Sequence, residues 1–313
     1  MTRSSAPEPS RDNDTADATA APHDTLPCVL SFNASDPTGA GGVVSDAMVI
    51  ASIGAHALPV ITGAYVRDTR EIMGHASLGD DAVAEQAGAV AEDIPLHAIK
   101  IGFAGSAEAV AAIAAFVSDY PAVPVIAYMP DLSWWSEDEI DHYLDAFREL
   151  LLPQVAVLVG NNTTLRHWLL PESTTDRRAR ATDLSRAAGE LGVSYVLVTG
   201  IPAVGDQLGN VLASAQGELF SQSYERIDAG FLGAGDILSA ALTALIATGS
   251  ELTEAVAEAL QYLDQALDHG FRPGMGRAVA DRLFWAESDD ADSADDDAPP
   301  SFDIPHPFNE TKH

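Results

Sequence analysis

From Pro27 onward the apolar residues fall into short strand-like runs, separated by longer stretches in which they recur every three to four positions. The short runs predict strands at Pro27–Asn33, Ala57–Ala64, Ala98–Phe103, Val123–Tyr128, Val155–Val159 and Tyr195–Thr199. The longer stretches predict helices at Val43–Ile53, Asp80–Glu92, Ala107–Ser118, Glu137–Leu151, Thr163–Leu169 and Asp183–Leu191. Such alternation implies an α/β fold, a mostly parallel central sheet with helices on both faces. Two more runs, around Asn210–Ser214 and Glu218–Ser223, predict a hairpin turning at Gln216 and Gly217. A helix opening at Gly233–Asp236 and a last helix at Leu252–Leu267 complete the pattern.

The pattern stops at both ends. Residues 1–25 are rich in Ser, Thr, Asp, Ala and Pro without periodicity, and residues 287–313 open on the acidic run Glu287–Asp297. Both read as disordered tails around a single domain of residues 26–286. No leader-like apolar segment and no run of membrane-spanning length is present, which predicts a cytoplasmic protein.

Charge sharpens this picture. There are 47 acidic and 16 basic residues, for a net charge of -31, which argues against nucleic acid or an anionic membrane as partner. Lysine is reduced to Lys100 and Lys312, a balance that suggests adaptation to high salt, where screening weakens self-repulsion; a merely acidic protein is the alternative. The single cysteine, Cys28, excludes an intramolecular disulfide, and the nine histidines lack metal-ligand spacing, so the residues themselves predict no protein metal site. A homodimer stays open.

Candidate chemistry concentrates in the glycine-rich turn from Asp228 to Asp236, which runs straight into an apolar helix. Gly233 and Gly235 let the backbone turn tightly and approach a ligand, and the helix start leaves N–H groups that attract an anion, phosphate above all. Asp236 beside such a cradle suggests a base for phosphoryl transfer to a hydroxyl. Glycine and aspartate before a helix also make an ordinary N-terminal cap. The loop Ala34–Gly42 after the first strand matches neither a dinucleotide fingerprint nor a P-loop. Asp36, Arg67, Phe103, Asn161, Thr199 and Gly233 all follow predicted strands, and ligands in open α/β sheets bind outside the strands' carboxyl ends, so these residues should gather on one edge.

These motifs together resemble the hydroxymethylpyrimidine and phosphomethylpyrimidine kinases of thiamine biosynthesis, in the ribokinase-like superfamily that also contains pyridoxal kinases. The resemblance rests on Ala34–Gly42 with Asp46, on Ser52–His56 and Val60–Thr62, on Lys100-Ile101-Gly102-Phe103, on Leu151-Leu152-Pro153 and on Gly233–Asp236, and covers roughly residues 27 to 275. It implies a ribokinase-like three-layer sandwich and transfer of a γ-phosphoryl group from ATP, with Mg2+, to the hydroxymethyl group of a small-molecule substrate. Asp236 would be the base, with Gly233, Ala234 and Gly235 forming the anion hole. Ala34, Asp36, Gly41, Tyr65, Arg67 and Phe103 would line the substrate pocket, and Asn161, Thr199 and Gly200 would stand at the nucleotide.

The departures carry information. Hydroxymethylpyrimidine kinases usually have cysteine where this chain has Asp236, the residue most of the superfamily uses. Arg67 replaces a glutamine that pairs with the aminopyrimidine, Thr164 replaces a glutamate that helps hold magnesium, Tyr128-Met129-Pro130 replaces Asp-Pro-Val-Met, and Thr199 replaces a phosphate-facing lysine. Two alternatives follow: a pyridoxal or pyridoxine kinase, and a ribokinase-like protein that binds a ligand or a regulatory partner without transferring phosphate.

Overall fold

A computed structural model describes residues 26–170 and 180–286; the predicted tails lie outside the described residues. Within them the chain forms a nine-stranded sheet between two layers of helices.

The sheet grows outward from β1 (Cys28–Ser35), which pairs in parallel with β2 (His56–Arg67) on one side and β4 (Ala98–Ile101) on the other. Beyond β4 follow β5 (Val125–Met129), β6 (Val157–Asn161) and β7 (Tyr195–Pro202), all parallel. The order places the antiparallel β3 (Ile72–Ser77) at one edge and the hairpin β8 (Gln207–Ser214) and β9 (Gly217–Glu225) at the other.

Side chains that alternate along each strand supply two separate cores. Leu30, Phe32, Ile99, Ile101, Ala127, Leu158 and Val198 face the layer of α2 (Asp80–Ala91), α3 (Ala107–Ser118), α4 (Glu137–Ala146), α5 (Asn162–Leu169) and α6 (Ala181–Glu190). Val29, Ala98, Ile126, Val157, Val159 and Leu197 face α1 (Gly42–Ile53), α7 (Ala234–Ala247) and α8 (Leu252–Asp268). On this second face the apolar series breaks near the strand ends, where Ser31, Asn33 and Lys100 are buried polar residues.

Several expectations are corrected in detail. β3 was absent from the sequence pattern because its six residues are only half-buried or exposed, in no strict alternation, and only Ile72 and Met73 among them are large and apolar. The helix expected to reach Leu151 gives way after Ala146 to a π turn over Phe147–Leu151 and a 3-10 turn over Leu152–Gln154, where Pro153 cannot continue an α-helix. A two-residue pair, β10 (Phe231–Leu232) with β11 (Ala278–Val279), is too short to leave a periodic signal, yet it fixes the approach to the glycine turn.

Candidate active site

Gly233 has a φ of 73°, in the left-handed region, and a Cβ there would run into the carbonyl oxygen of Ala40. Only glycine lets the turn pack this closely on the Ala34–Gly42 loop. Gly233→Ala should therefore destabilise the fold by at least about 1–3 kcal/mol, read as an earlier urea midpoint; an unchanged midpoint would show that the two loops separate without cost. The turn sets Asp236 in the first turn of α7, with the helix's leading N–H groups directed at the space above it.

Asp236 is held from below. Its Oδ1 accepts from Lys100 Nζ at 2.9 Å and from Asn33 Nδ2 at 2.8 Å, and its Oδ2 accepts from the Gly42 N–H at 3.1 Å. Lys100 also donates to Asp46 Oδ1 at 2.6 Å, and Asp46 Oδ2 accepts from Ser31 and Asn33. Lys100 and Asp46 are completely buried, while the Asp236 side chain keeps 16 % exposure. With Oδ1 engaged twice, Oδ2 is the oxygen with lone-pair capacity left for a ligand.

Two carboxylates around one buried ammonium leave a surplus negative charge. Burial pushes Asp46 up to about 6, despite the opposing Lys100, with Asp236 adding repulsion. Burial also pushes Asp236 up, but Lys100, the Gly42 N–H and Asn33 outweigh it and hold that carboxyl below its ordinary value. Burial lowers the Lys100 ammonium, and the two carboxylates more than reverse this. The trio therefore keeps Asp236 ionised and places any proton taken up near pH 6 on Asp46.

Above Asp236 opens a cavity of about 570 Å³ lined by Asp36, Gly41, Tyr65 and Arg67 on one side, Asn161 and Thr199 on the other, and Gly233–Asp236 between them. Gly200 falls outside it, in an adjoining cavity of about 210 Å³ that shares Asn161 and Thr199 and is walled by Tyr224, Leu260 and Leu263. Ala34 and Phe103, expected in the pocket lining, do not line it. Both are buried in the core between sheet and helices, and Phe103 reaches the site only through other rings, stacking on Tyr65 at 5.4 Å and meeting Trp134 edge-on at 5.7 Å.

Asp36 is buried and orders its own loop, accepting from Thr38 and from the Gly41 N–H, and it holds Arg67 Nη1 at 3.4 Å. Arg67 thus pairs across the loop rather than with a carboxylate of its own turn, where it donates only to the Asp68 carbonyl. Arg70 and Arg277 add two more guanidinium groups to the lining. Trp134 and Trp135 belong to an aromatic cluster with Tyr65, His75 and Phe103, and Trp134 lines the cavity.

Sequence reasoning missed Asn33, Asp46 and Lys100 as parts of this site. For Asn33 and Lys100 the signal was a polar residue inside an otherwise apolar strand, Ser31 and Asn33 in β1 and Lys100 in β4, and for Asp46 it was a lone carboxylate on the buried face of α1. A polar side chain buried between apolar neighbours needs partners, and these three supply them to one another and to Asp236.

The cavity fits a nucleoside triphosphate beside a small acceptor, since a glycine turn and a helix N-terminus meet a carboxylate above the carboxyl ends of parallel strands. Among the described residues no group of three or more His, Cys, Asp or Glu could cage a metal. Mg2+ commonly binds through one or two carboxylates plus phosphate oxygens, so the ion would enter with the triphosphate.

Fold and site together define a ribokinase-like small-molecule kinase. Residues 36–281 match the phosphomethylpyrimidine kinase family, and the chain belongs to it. It is 27% identical over 265 residues to the hydroxymethylpyrimidine/phosphomethylpyrimidine kinase of Streptomyces coelicolor, covering 84% of this chain and 96% of that one. It is 28% identical over 268 residues to the enzyme of the same name from Mycobacterium tuberculosis, covering 85% and 97%. In structure it is similar to a Bacillus subtilis pyridoxal kinase in complex with ADP, with a TM-score of 0.75 at 19% identity over 84% of this chain and 100% of that one. A Clostridium difficile phosphomethylpyrimidine kinase aligns with a TM-score of 0.62 at 22% identity over 75% and 98%. No helix among the described residues is long and apolar enough to cross a membrane.

Proposed function

We propose that this chain transfers a phosphoryl group from ATP to the hydroxymethyl group of hydroxymethylpyrimidine, and to its monophosphate, in thiamine biosynthesis. The observation that carries this reading is Asp236 itself: a carboxylate held ionised by Lys100, with Oδ1 engaged twice and Oδ2 accepting only from the Gly42 N–H, in the turn that lines the cavity and presents the helix N–H groups. ATP would supply the γ-phosphoryl group, and Mg2+ entering with it would neutralise charge on the phosphate oxygens.

The chain's own residues do the rest. Asp36, Gly41, Tyr65 and Arg67 border the acceptor's side of the cavity, while Asn161 and Thr199 border the nucleotide's side, with Asp236 between and Gly200 beyond them in the adjoining cavity. As the acceptor oxygen bonds to the γ-phosphorus and the bond from that phosphorus to the β,γ-bridging oxygen breaks to release ADP, the hydroxyl becomes more acidic and its proton passes to Asp236 Oδ2. The N–H groups of Ala234, Gly235 and Asp236 face the charge that builds on the phosphoryl oxygens, and they need no reorganisation to do so. Aromatic packing of Phe103 and Trp134 on Tyr65 holds the acceptor's wall in place.

Arg67 favours a second acceptor class. Its guanidinium only donates, whereas an aminopyrimidine edge presents a donor beside an acceptor. Pyridoxal and pyridoxine offer oxygen acceptors instead. Offering hydroxymethylpyrimidine and pyridoxal separately with Mg-ATP at high salt should give a phosphate ester of the pyrimidine. Turnover of the vitamin B6 compound alone would overturn the substrate assignment.

A further inference from the structure

Tyr128 lies at the centre of the cavity wall without a task. It is the fourth residue of β5, and strand alternation puts it with Ile126 on the face covered by α7, where it packs on the apolar core of that layer. The same alternation carries Lys100 and Asn33 to this face on the neighbouring strands. Tyr128 therefore ends a row of polar side chains running beneath the start of α7.

Its ring sits on the glycine turn. A Cβ placed on Gly235 would collide with Tyr128 Cζ, Cε2 and Oη, so Gly235 is glycine because this tyrosine occupies the space a side chain would take. Among the described residues the Tyr128 hydroxyl has no hydrogen-bond partner, although the ring is largely buried and lines the cavity. It is not among the buried unpartnered polar atoms, so the hydroxyl opens on the cavity and is free to donate to a ligand there.

We propose that Tyr128 is a catalytic residue whose hydroxyl donates a hydrogen bond to the phosphoryl group in transit, as one more donor beside the N–H groups of Ala234, Gly235 and Asp236. This rests on the kinase reading above. The chemical reason is that Thr199, which donates at 3.4 Å to the Gly160 carbonyl, brings no positive charge where it stands, so a donor on the glycine turn adds to what the Arg70 and Arg277 guanidinium groups of the lining can supply. A tyrosine suits this place because it adds a donor without adding a negative charge beside Asp236. Burial, followed by the Asp236 and Asp131 carboxylates, pushes its pKa far above the ordinary phenol value, so the proton stays on oxygen throughout the working pH range.

The test is Tyr128→Phe in the full chain, which removes one oxygen that makes no hydrogen bond to any other described residue and leaves the ring in place. Two readouts are needed. Turnover with hydroxymethylpyrimidine should lose about tenfold to hundredfold in kcat with little change in KM. Calorimetric binding of ADP with aluminium fluoride, which mimics the planar phosphoryl group, should weaken by a similar factor while binding of ADP alone is unchanged. The calorimetric arm decides the matter even if pyrimidine is not the acceptor, which separates this inference from the substrate assignment. Equal binding of the fluoride complex by Tyr128→Phe and wild type would overturn it. So would faster turnover in Tyr128→Ala than in wild type, since the ring would then be an obstacle to the phosphoryl group rather than its partner.

Discussion

Asp236→Asn should lower kcat by about two to four orders of magnitude and leave nucleotide and acceptor affinity within about threefold of wild type. The amide keeps the volume of the carboxyl, so the turn and the cavity keep their shape. It loses the base in two ways. No form of the amide accepts the hydroxyl proton, and its NH2 must be turned either toward the Gly42 N–H or toward Lys100, both of which are donors. The variant should still fold, because removing one carboxylate brings the buried trio from a surplus negative charge to balance. Asp46 would also lose the repulsion that helps raise it, so its acidity should move back toward the ordinary carboxylate range. Single-turnover rates with Mg-ATP and the pyrimidine provide the check. A rate equal to wild type would take Asp236 out of the mechanism.

What could be read from the amino-acid order was whatever repeats. Six parallel strands announced themselves because each is an apolar run next to an amphipathic helix, and α7 did so because two glycines and an aspartate precede it. From strand ends alone, Asp36, Arg67, Asn161, Thr199 and Gly233 were expected on one edge, and the structure brings them to the rim of one cavity. Phe103 followed the same rule and went elsewhere, because β4 stops at Ile101 and the chain turns its ring inward against Tyr143 and Tyr65. β3 escaped notice because Ile72–Ser77 has neither an apolar run nor a strict alternation, Gly74 and His75 falling among half-buried and exposed residues. Lys100 escaped for a different reason. A charge inside a strand ordinarily suggests an exposed edge, and only the three-dimensional meeting of β1, α1, β4 and α7 reveals that its partners are 54 and 136 residues away in sequence.

Lys100→Met should be the most damaging single change in the core. Methionine has similar length and packs well, so the loss is electrostatic: Asp46 and Asp236 remain buried with no ammonium between them. Breaking one partner out of a buried ionic group typically costs about 3–5 kcal/mol at neutral pH. The direction of the pH dependence follows from the acidity shifts. In the wild type, Asp46 is raised to about 6, so its ionisation subtracts stability as pH climbs from the ordinary carboxylate range to about 6; Lys100 is raised, so its contribution is present below its ordinary value and lost only above it. Without Lys100, Asp236 loses the charge that lowered it, and the two carboxylates share one proton to higher pH. Lys100→Met should therefore be least destabilised near pH 5 and progressively more so toward pH 8, and the acid limb of kcat/KM should move upward because Asp236 competes for that proton. Adding Asp46→Asn removes the second carboxylate and should restore part of the stability at pH 8 while leaving the rate low. Urea unfolding at the two pH values, together with the pH profile, separates this from simple loss of packing, which would cost the same at both. A variant as stable as wild type at pH 8, with its acid limb in place, would mean that Lys100 neither neutralises the pair nor sets the state of the base.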